Sequence, residues 1–425
     1  MSKINDLIKE MCPNGVRYHK LSEIGNQFSG LSGKSKKDFE NGNCRYITYT
    51  NIYNNPSTNL EVEDYVQVKQ NEKQNEIKYK DILIAGSSEN LEDSGMISVV
   101  TKMPNEKIYL NSFCFGFRLN DNFYEKYNPD FLKHLFRNKK FRNDIISCSF
   151  GVTRYNLSKE KFLKIKIPCP PLEVQEEIVK ILDKFGELEA ELEAELEARK
   201  NQYEFWCGKL LNSGNSNQQY ITLGDIGKVC MCKRIMKNET SDSGDVPFYK
   251  IGTFGKQADA YISYDIFNDY KKRFSYPKKG EILVSCSGTI GRSVVFDGND
   301  AYFQDSNIVW LSNDERKILN KFLYYFYQTS PWNISDGGTI KRLYNNQFIS
   351  AKVPLYSLEE QKKIVSILER FDKLINDISE GLPAEIELRR KQYEYYRNKL
   401  LNFKELKNEW HFIFNYWWIS KRYSK

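Results

Sequence analysis

The residues of this chain best equipped to meet a polyanion occur as two similar sets. The first comprises Lys34, Lys36, Lys37, Arg45, Tyr49, Asn51, Ser87, Ser88, Arg154 and Tyr155. The second comprises Lys233, Arg234, Lys237, Lys250, Lys256, Lys271, Lys272, Arg273, Ser287, Thr289, Arg292, Lys341 and Arg342. In both, basic side chains are interleaved with aromatic and small polar ones. Lysines mainly neutralise phosphates, whereas arginine, asparagine and serine also present donors and acceptors that match base edges. For any single residue, surface solvation explains its type equally well. Recurrence in equivalent places of two halves favours contact with nucleic acid.

Catalytic chemistry has less material. Gly30-Leu-Ser-Gly33-Lys34-Ser35 ends like a phosphate loop, but Phe28 stands where the first glycine is required. Asn128-Pro129-Asp130-Phe131 approaches the Asn-Pro-Pro-Phe/Tyr signature of amino-methyltransferases without its second proline, and no glycine-rich cofactor loop follows a strand upstream. Asp130 reads more simply as a helix N-cap. Pro129-Asp130 is not followed, within about thirty residues, by the Asp/Glu-x-Lys of a metal-dependent nuclease. The only histidines are His19, His134 and His411, and the nine cysteines are scattered, with Cys230 and Cys232 the one close pair. These supply no metal-ligand cluster and little for general base catalysis. The expectation is a non-catalytic chain with reduced thiols, no metal and no cofactor of its own.

What must position the two sets is a long helix and its partner. From 172 to 211, residues Leu172, Gln175, Ile178, Ile181 or Leu182, Phe185, Leu188, Leu192, Leu196, Tyr203, Trp206 and Leu210 recur at helical steps and form one apolar seam. Glu-Leu-Glu-Ala occurs three times in succession from Glu187 to Ala198, all of it helix-favouring. At about 1.5 Å per residue such a helix runs about 60 Å. Its glutamates at 187, 189, 191, 193, 195 and 197 make like-charge pairs four apart, each costing about 0.2–0.5 kcal/mol. A partner helix must therefore hold the seam, with Ile178, Leu182, Phe185, Leu188, Leu192 and Leu196 facing Ile364, Leu368 and Phe371. The glutamates themselves are either a solvated face or the counterpart of a basic partner such as Arg389, Arg390 and Lys391, or of a second protein.

The partner helix is part of an internal duplication. Gln175, Ile181, Leu182 and Phe185 match Gln361, Ile367, Leu368 and Phe371, and Gln202-Tyr203 with Lys209-Leu210-Leu211 match Gln392-Tyr393 with Lys399-Leu400-Leu401. Between the helices, LSEIG at 21–25 resembles LGDIG at 223–227, RYITY at 45–49 resembles VPFYK at 246–250, and DILIAGSS at 81–88 resembles EILVSCSG at 281–288. Each half then carries a glycine-started basic loop, 151–157 and 337–343, and a strand ending in Pro168 or Pro354. Short β-branched and aromatic runs bounded by Gly, Asn, Pro and Ser predict strands, and 130–138 and 319–328 predict short helices. Gly381 and Pro383 predict a kink or restart in the second long helix. The boundaries read from this are 1–171, a helix at 172–211, 212–357, a helix at 358–401, and a tail at 402–425.

With 40% hydrophobic and 14% aromatic residues among 425, the chain has enough apolar material for two or three cores. No run of about 18 apolar residues and no signal peptide is present, so a membrane span is not expected and the cytoplasm is the default location. The net charge is +7. Residues 1–171 carry 26 basic against 20 acidic residues and 212–357 carry 18 against 14, while 172–211 carry 5 against 11. The segments between the helices are thus basic and the first helix acidic, as expected if only the former meet polyanions.

Taken together, the opening stretch from Ile4 to Gly15, both Ile/Val-Pro...Leu-Glu-x-Gln approaches to the helices, both Gln-Tyr-Glu...Lys-Leu-Leu exits and the central tetrapeptides resemble the specificity subunits of type I DNA restriction-modification systems. The resemblance implies a mixed α/β chain with two target-recognition domains of α+β structure. Two long antiparallel coiled-coil spacer helices would separate them in a pseudo-two-fold repeat. It implies a non-catalytic subunit that binds double-stranded DNA, recruits two methyltransferase subunits using S-adenosylmethionine, and is joined by nuclease/translocase subunits. Each domain would read one half of a split target. Removing one tetrapeptide would shorten the rod by about 6 Å, or roughly two base pairs. The alternatives are a stand-alone DNA-binding regulator and a coiled-coil scaffold without salt-sensitive DNA binding. The tail, with Trp410, Phe412, Phe414, Tyr416, Trp417 and Trp418, departs from the pattern.

Overall fold

The computed structural model describes residues 2–211, 218–334 and 341–406. Most of the second glycine-started loop and the aromatic cluster of the tail lie outside the described residues. The chain divides into two compact units, one of residues 1–191 with 387–425 and one of residues 192–386. Each unit holds one mixed α+β domain, one end of the long helix and part of the second helical segment.

In the first unit a four-stranded antiparallel sheet runs in the order Gly25–Ser29, Cys114–Leu119, Ile82–Ala85, Ile97–Val99. Ile82 and Ile84 join a core with Phe131, Leu135, Ile178 and Leu182, while Leu83 and Ala85 join a second core on the other face. That alternation is the period of two of a strand buried on both sides. The second core is closed by a three-stranded sheet, Tyr65–Val66, Cys44–Ile47, Ile108–Leu110, whose last two strands are parallel. A short antiparallel pair, Arg17–Lys20 with Lys166–Cys169, precedes the long helix.

The second unit repeats this plan strand for strand. Its four-stranded sheet runs Gly227–Met231, Ile308–Asn313, Ile282–Ser285, Ser293–Val295. Its three-stranded sheet runs Tyr261–Ile262, Val246–Tyr249, Tyr302–Phe303, again with the last pair parallel. Asp81 and Glu281 immediately precede the equivalent buried strands and accept the amides of Lys78 at 2.7 Å and Lys278 at 2.6 Å. Burial raises both carboxyls above their usual range, although Arg118 opposes this at Asp81.

The long helix is continuous from Leu172 to Leu211. Its Ile178 and Leu182 are fully buried in the first domain's core, Phe185, Leu188, Leu192 and Leu196 are half-buried, and the glutamates between them are mostly exposed. In the first unit Phe185 stacks on Tyr396 with ring centroids 5.3 Å apart, and Glu189 pairs with Arg390 at 2.6 Å. Residue numbers rise along one helix as they fall along the other, so the pair is antiparallel. In the second unit Tyr203 meets Phe371, and Leu211 shares a core with the buried Ile364 and Leu368. Of the six glutamates, Glu189 has the basic partner considered from sequence, Glu187 pairs with Lys184 and Glu195 with Arg199 along their own helix.

The second segment is two helices, Leu358–Asn376 and Leu382–Leu400. A Cβ on Gly381 would lie 2.6–2.8 Å from the carbonyl oxygens of Asp377, Lys373 and Leu374, so only glycine fits the break. Pro383 follows in the first turn of the restarted helix, where its missing N–H is not needed.

The Leu-Glu-x-Gln motif has a shared structural job. Gln175 is fully buried; its Oε1 accepts the Asn128 amide at 2.9 Å and its Nε2 donates to the carbonyls of Lys126 and Pro170, both at 2.8 Å. Gln361, also fully buried, accepts the Leu319 amide at 2.8 Å and donates to the carbonyls of Lys317 at 2.7 Å and Tyr356 at 2.9 Å. In each half one carboxamide ties a long helix to the start of the short helix that follows the sheet. That short helix, Pro129–Arg137 in the first half, is capped by Asn128 rather than Asp130, because the Asn128 side chain accepts the amides of Asp130 and Phe131.

Candidate nucleic-acid interface

In the first unit the chain leaves strand Ile82–Ala85 through Gly86 into the short strand Ser87–Ser88, and residues 149–157 fold back on it as a hairpin. Gly151 makes the turn possible: its φ is +123°, and a Cβ there would lie 2.1 Å from the Arg154 carbonyl oxygen. Arg154, exposed, donates from Nη2 to Ser87 Oγ at 3.0 Å, and its guanidinium carbon lies 5.7 Å from the centre of the Phe113 ring. Gly86 joins the three segments, since its amide donates to Phe113 O at 3.1 Å and its carbonyl accepts from Leu157 N at 3.0 Å. Arg142 steadies the adjoining loop by donating to the carbonyls of Glu92, Ser94 and Gly95 at 2.8–2.9 Å.

The second unit builds the same junction with other side chains. The Cys286 amide donates to Asn307 O at 2.7 Å and its carbonyl accepts from Leu343 N at 2.8 Å. Cys286 therefore stands where Gly86 does, Asn307 where Phe113 does, and Leu343 where Leu157 does. Around it, loop 304–307 gathers the polar groups. Arg342 donates to Ser306 O and Oγ at 2.9 and 2.8 Å, Ser287 to Asn307 Oδ1 at 2.9 Å, and Arg234 to Asp305 Oδ2 at 3.0 Å. Gln304 Oε1 accepts the Ile251 amide at 2.8 Å, and Arg292 donates to Phe254 O at 2.9 Å. The result is a surface of fixed donors and acceptors with cationic guanidinium groups among them, the chemistry needed to hold phosphates and read base edges.

The two sets of sequence-expected residues divide accordingly. Ser87, Ser88, Arg154 and Tyr155 come together in the first unit, and Arg234, Ser287 and Arg342 in the second, with Lys250 next in sequence to Tyr249, whose carbonyl accepts from Gln304 N at 2.9 Å. Lys36, Lys37, Lys233, Lys237, Lys256, Thr289 and Lys341 are exposed. Others turn inward. The Lys34 side chain is 5% exposed and binds Glu72 at 2.6 Å and Gln67 O at 2.6 Å, which holds the Glu72 carboxyl down at about 2. Its charge is neutralised inside the domain, so it corrects the expectation of a phosphate contact. Asn51 is buried, with its carboxamide bonded to the backbone of Asn59, and is likewise structural. Arg45 pairs with Glu106 at 2.8 Å at the end of its strand remote from the junction, since it faces Ile108 while Ile47 O meets Asn111 N. Tyr49 stacks on Tyr53 in a short helix. Lys271, Lys272 and Arg273 form the last turn of helix Tyr264–Arg273, where they complement its dipole; Lys271 pairs with Asp300 and Arg273 with Asp269.

Sequence reasoning missed Phe113 and the loop 304–307. The available signal was positional: each lies in the short connection between the same two strands of the repeat, Ile108–Leu110 to Cys114–Leu119 and Tyr302–Phe303 to Ile308–Asn313. Among the described residues no group of His, Cys, Asp and Glu is placed to hold a metal ion, and no helix is long and apolar enough to cross a membrane.

Against known proteins, the family model of the type I restriction modification DNA specificity domain matches twice, at residues 13–198 and 215–388. The chain belongs to that family. Both copies of the junction lie within the two matched ranges, as do residues 172–198 of the long helix and the whole of helix Leu358–Asn376. The chain is 55% identical over 287 residues to the putative type I restriction enzyme specificity subunit of Haemophilus influenzae, covering 66% of this chain and 73% of that one. It is 34% identical over 259 residues to the EcoR124I/EcoR124II specificity subunit of Escherichia coli, covering 56% and 63%. Its fold is similar to that of a chain in a structure of type I R-M system assembly, with TM-score 0.60, 16% identity and coverage of 92% and 98%. The HsdS subunit from Thermoanaerobacter tengcongensis gives 0.52 at 16% identity, with coverage of 92% and 97%.

Proposed function

We propose that this chain is the DNA sequence-recognition subunit of a type I restriction-modification complex. It reads a bipartite, asymmetric target in double-stranded DNA, one part with each domain, and directs two methyltransferase subunits and the nuclease/translocase subunits to it in the cytoplasm. The chain itself performs no bond-making step; adenine methylation and cleavage belong to its partners. The observation that carries this reading is the duplicated junction: one backbone framework presents Ser87 and Phe113 in one half and Ser287 and Asn307 in the other, each beside an arginine of the returning segment, Arg154 in the first and, at the position of Asn156, Arg342 in the second. Equal frameworks give equivalent docking; unequal side chains give two different half-sites, hence an asymmetric target. In this reading residues 1–171 and 212–357 are the two recognition domains, and 172–211 and 358–401 are the spacers.

The test is single-molecule sequencing of adenine methylation in cells carrying this chain with a type I methyltransferase subunit, against cells with that subunit alone. A bipartite motif methylated only in the presence of this chain is the expected result. Its absence, with the chain folded and expressed, would refute the proposal.

A further inference from the structure

Phe113 is 64% exposed, and Val152, at the tip of the facing hairpin, is 87% exposed. Both lie in the first unit's junction, otherwise built from Ser87, Ser88 and Arg154. The Phe113 backbone is fixed by its bond to Gly86, and its Asn111 neighbour accepts the Phe113 amide at 2.9 Å. The phenyl ring is therefore held outward by an ordered loop and bordered on one side by the Arg154 guanidinium. A mostly exposed phenyl gains little from folding; in a surface that meets DNA it gains from an apolar partner. Among base edges in the major groove, the one apolar projection is the C5-methyl of thymine, and arginine pairs with the O6 and N7 of guanine.

We infer that the first domain reads a thymine methyl group through Phe113, beside a base contacted by Arg154, and that the second domain, with Asn307 in the equivalent place, reads by hydrogen bonds there instead. This rests on the proposed role of the chain in sequence recognition. The asymmetry between the halves is then chemical: an apolar contact at one junction, and a carboxamide already oriented by Ser287 at the other.

The experiment uses the complex of this chain with its methyltransferase subunits on a duplex carrying the methylated motif. The half-site of the first domain is the one left unaffected by Arg342→Ala. Each thymine in it is replaced in turn by deoxyuridine, which removes only the methyl group. Burial of one methyl predicts about a fourfold loss of affinity at one position. Phe113→Asn abolishes that sensitivity, Phe113→Leu retains it, and deoxyuridine at the other half-site's junction position has no such effect. Because Phe113 is mostly exposed and its bond to Gly86 is made by the backbone, both variants fold, which near-ultraviolet circular dichroism checks. The inference is overturned by a first half-site without thymine, by wild-type binding indifferent to every deoxyuridine, or by sensitivity that survives Phe113→Asn. A loss on Phe113→Asn that is the same with thymine and deoxyuridine also overturns it, and assigns the ring to a wedge between base steps. A complex that methylates no bipartite motif overturns the functional reading first, and is distinguishable because the motif itself is then missing.

Discussion

Replacing Gln175 by methionine preserves the length and volume of the side chain but removes all three of its hydrogen bonds. The Asn128 amide and the carbonyls of Lys126 and Pro170 then lose their partner at a fully buried site. A buried polar group left unpaired costs about 1–3 kcal/mol. With three such groups, and some relief from water and from the apolar burial of methionine, the expected loss is about 3 kcal/mol. For a unit of this size that is about 6–12 °C in Tm. Gln361→Met should cost a similar amount, because its bonds of 2.8, 2.7 and 2.9 Å reproduce those of Gln175. Gln175→Glu should be worse at neutral pH, since a carboxylate oxygen would replace the donor between two carbonyl oxygens. Differential scanning calorimetry of the full chain measures each. A methionine variant that loses less than about 0.5 kcal/mol would refute the reasoning, because the carboxamide would then be worth no more than an ordinary exposed hydrogen bond.

Deleting one Glu-Leu-Glu-Ala unit removes four residues and about 6 Å of helix. The expected outcome is a methylated motif whose gap changes by roughly two base pairs, with both half-sites unaltered. Gly381→Ala places a methyl against three carbonyl oxygens and should destabilise the second unit by about 1–3 kcal/mol in urea unfolding. Arg154→Ala and Arg342→Ala should each relax base preference at one position of different half-sites, by about 5–150-fold in binding to the matched base, as read by methylation profiling. His134 gives a pH dependence. It is buried, its Nε2 lies 2.8 Å from Asp183 and its Nδ1 2.9 Å from Tyr393 Oη, an arrangement that suits the neutral ring donating to Asp183 and accepting from Tyr393. Desolvation and the nearby Lys133 lower its pKa below 6.5, against the opposing pull of Asp183 and Asp130. Protons then bind the unfolded chain first, so this contribution is complete above about pH 6.5 and is lost as pH falls through the folded value. His134→Gln should flatten that slope in a pH series of thermal melts; an unchanged slope would contradict it.

The long helix, the duplication and the broken second helix were legible in the sequence because each is a local or periodic property. Heptad-like spacing makes a helix wherever it occurs, a glycine followed by a proline ends one, and two copies of DILIAGSS and EILVSCSG fold into the same strand because the same alternation of apolar residues serves both. The paired glutamines were visible as a repeat, but their task was not. Their partners are backbone groups 5 to 49 residues away, and nothing in a side chain's identity names them.

The tertiary structure alone decided which basic residues remain available to DNA. Lys34 and Arg154 are equally plausible phosphate contacts in the sequence, yet Lys34 is neutralised by Glu72, 38 residues on, while Arg154 is carried outward by a glycine turn. Phe113 reads as one more core aromatic until its loop is seen to leave the ring exposed beside Arg154. Charge and apolarity are properties of a residue, whereas exposure and partners are properties of the fold. The first were fixed by the sequence one position at a time; the second required the distant segments 86–88, 113 and 149–157, and in the other half 286–287, 304–307 and 342–343, to be brought to the same place.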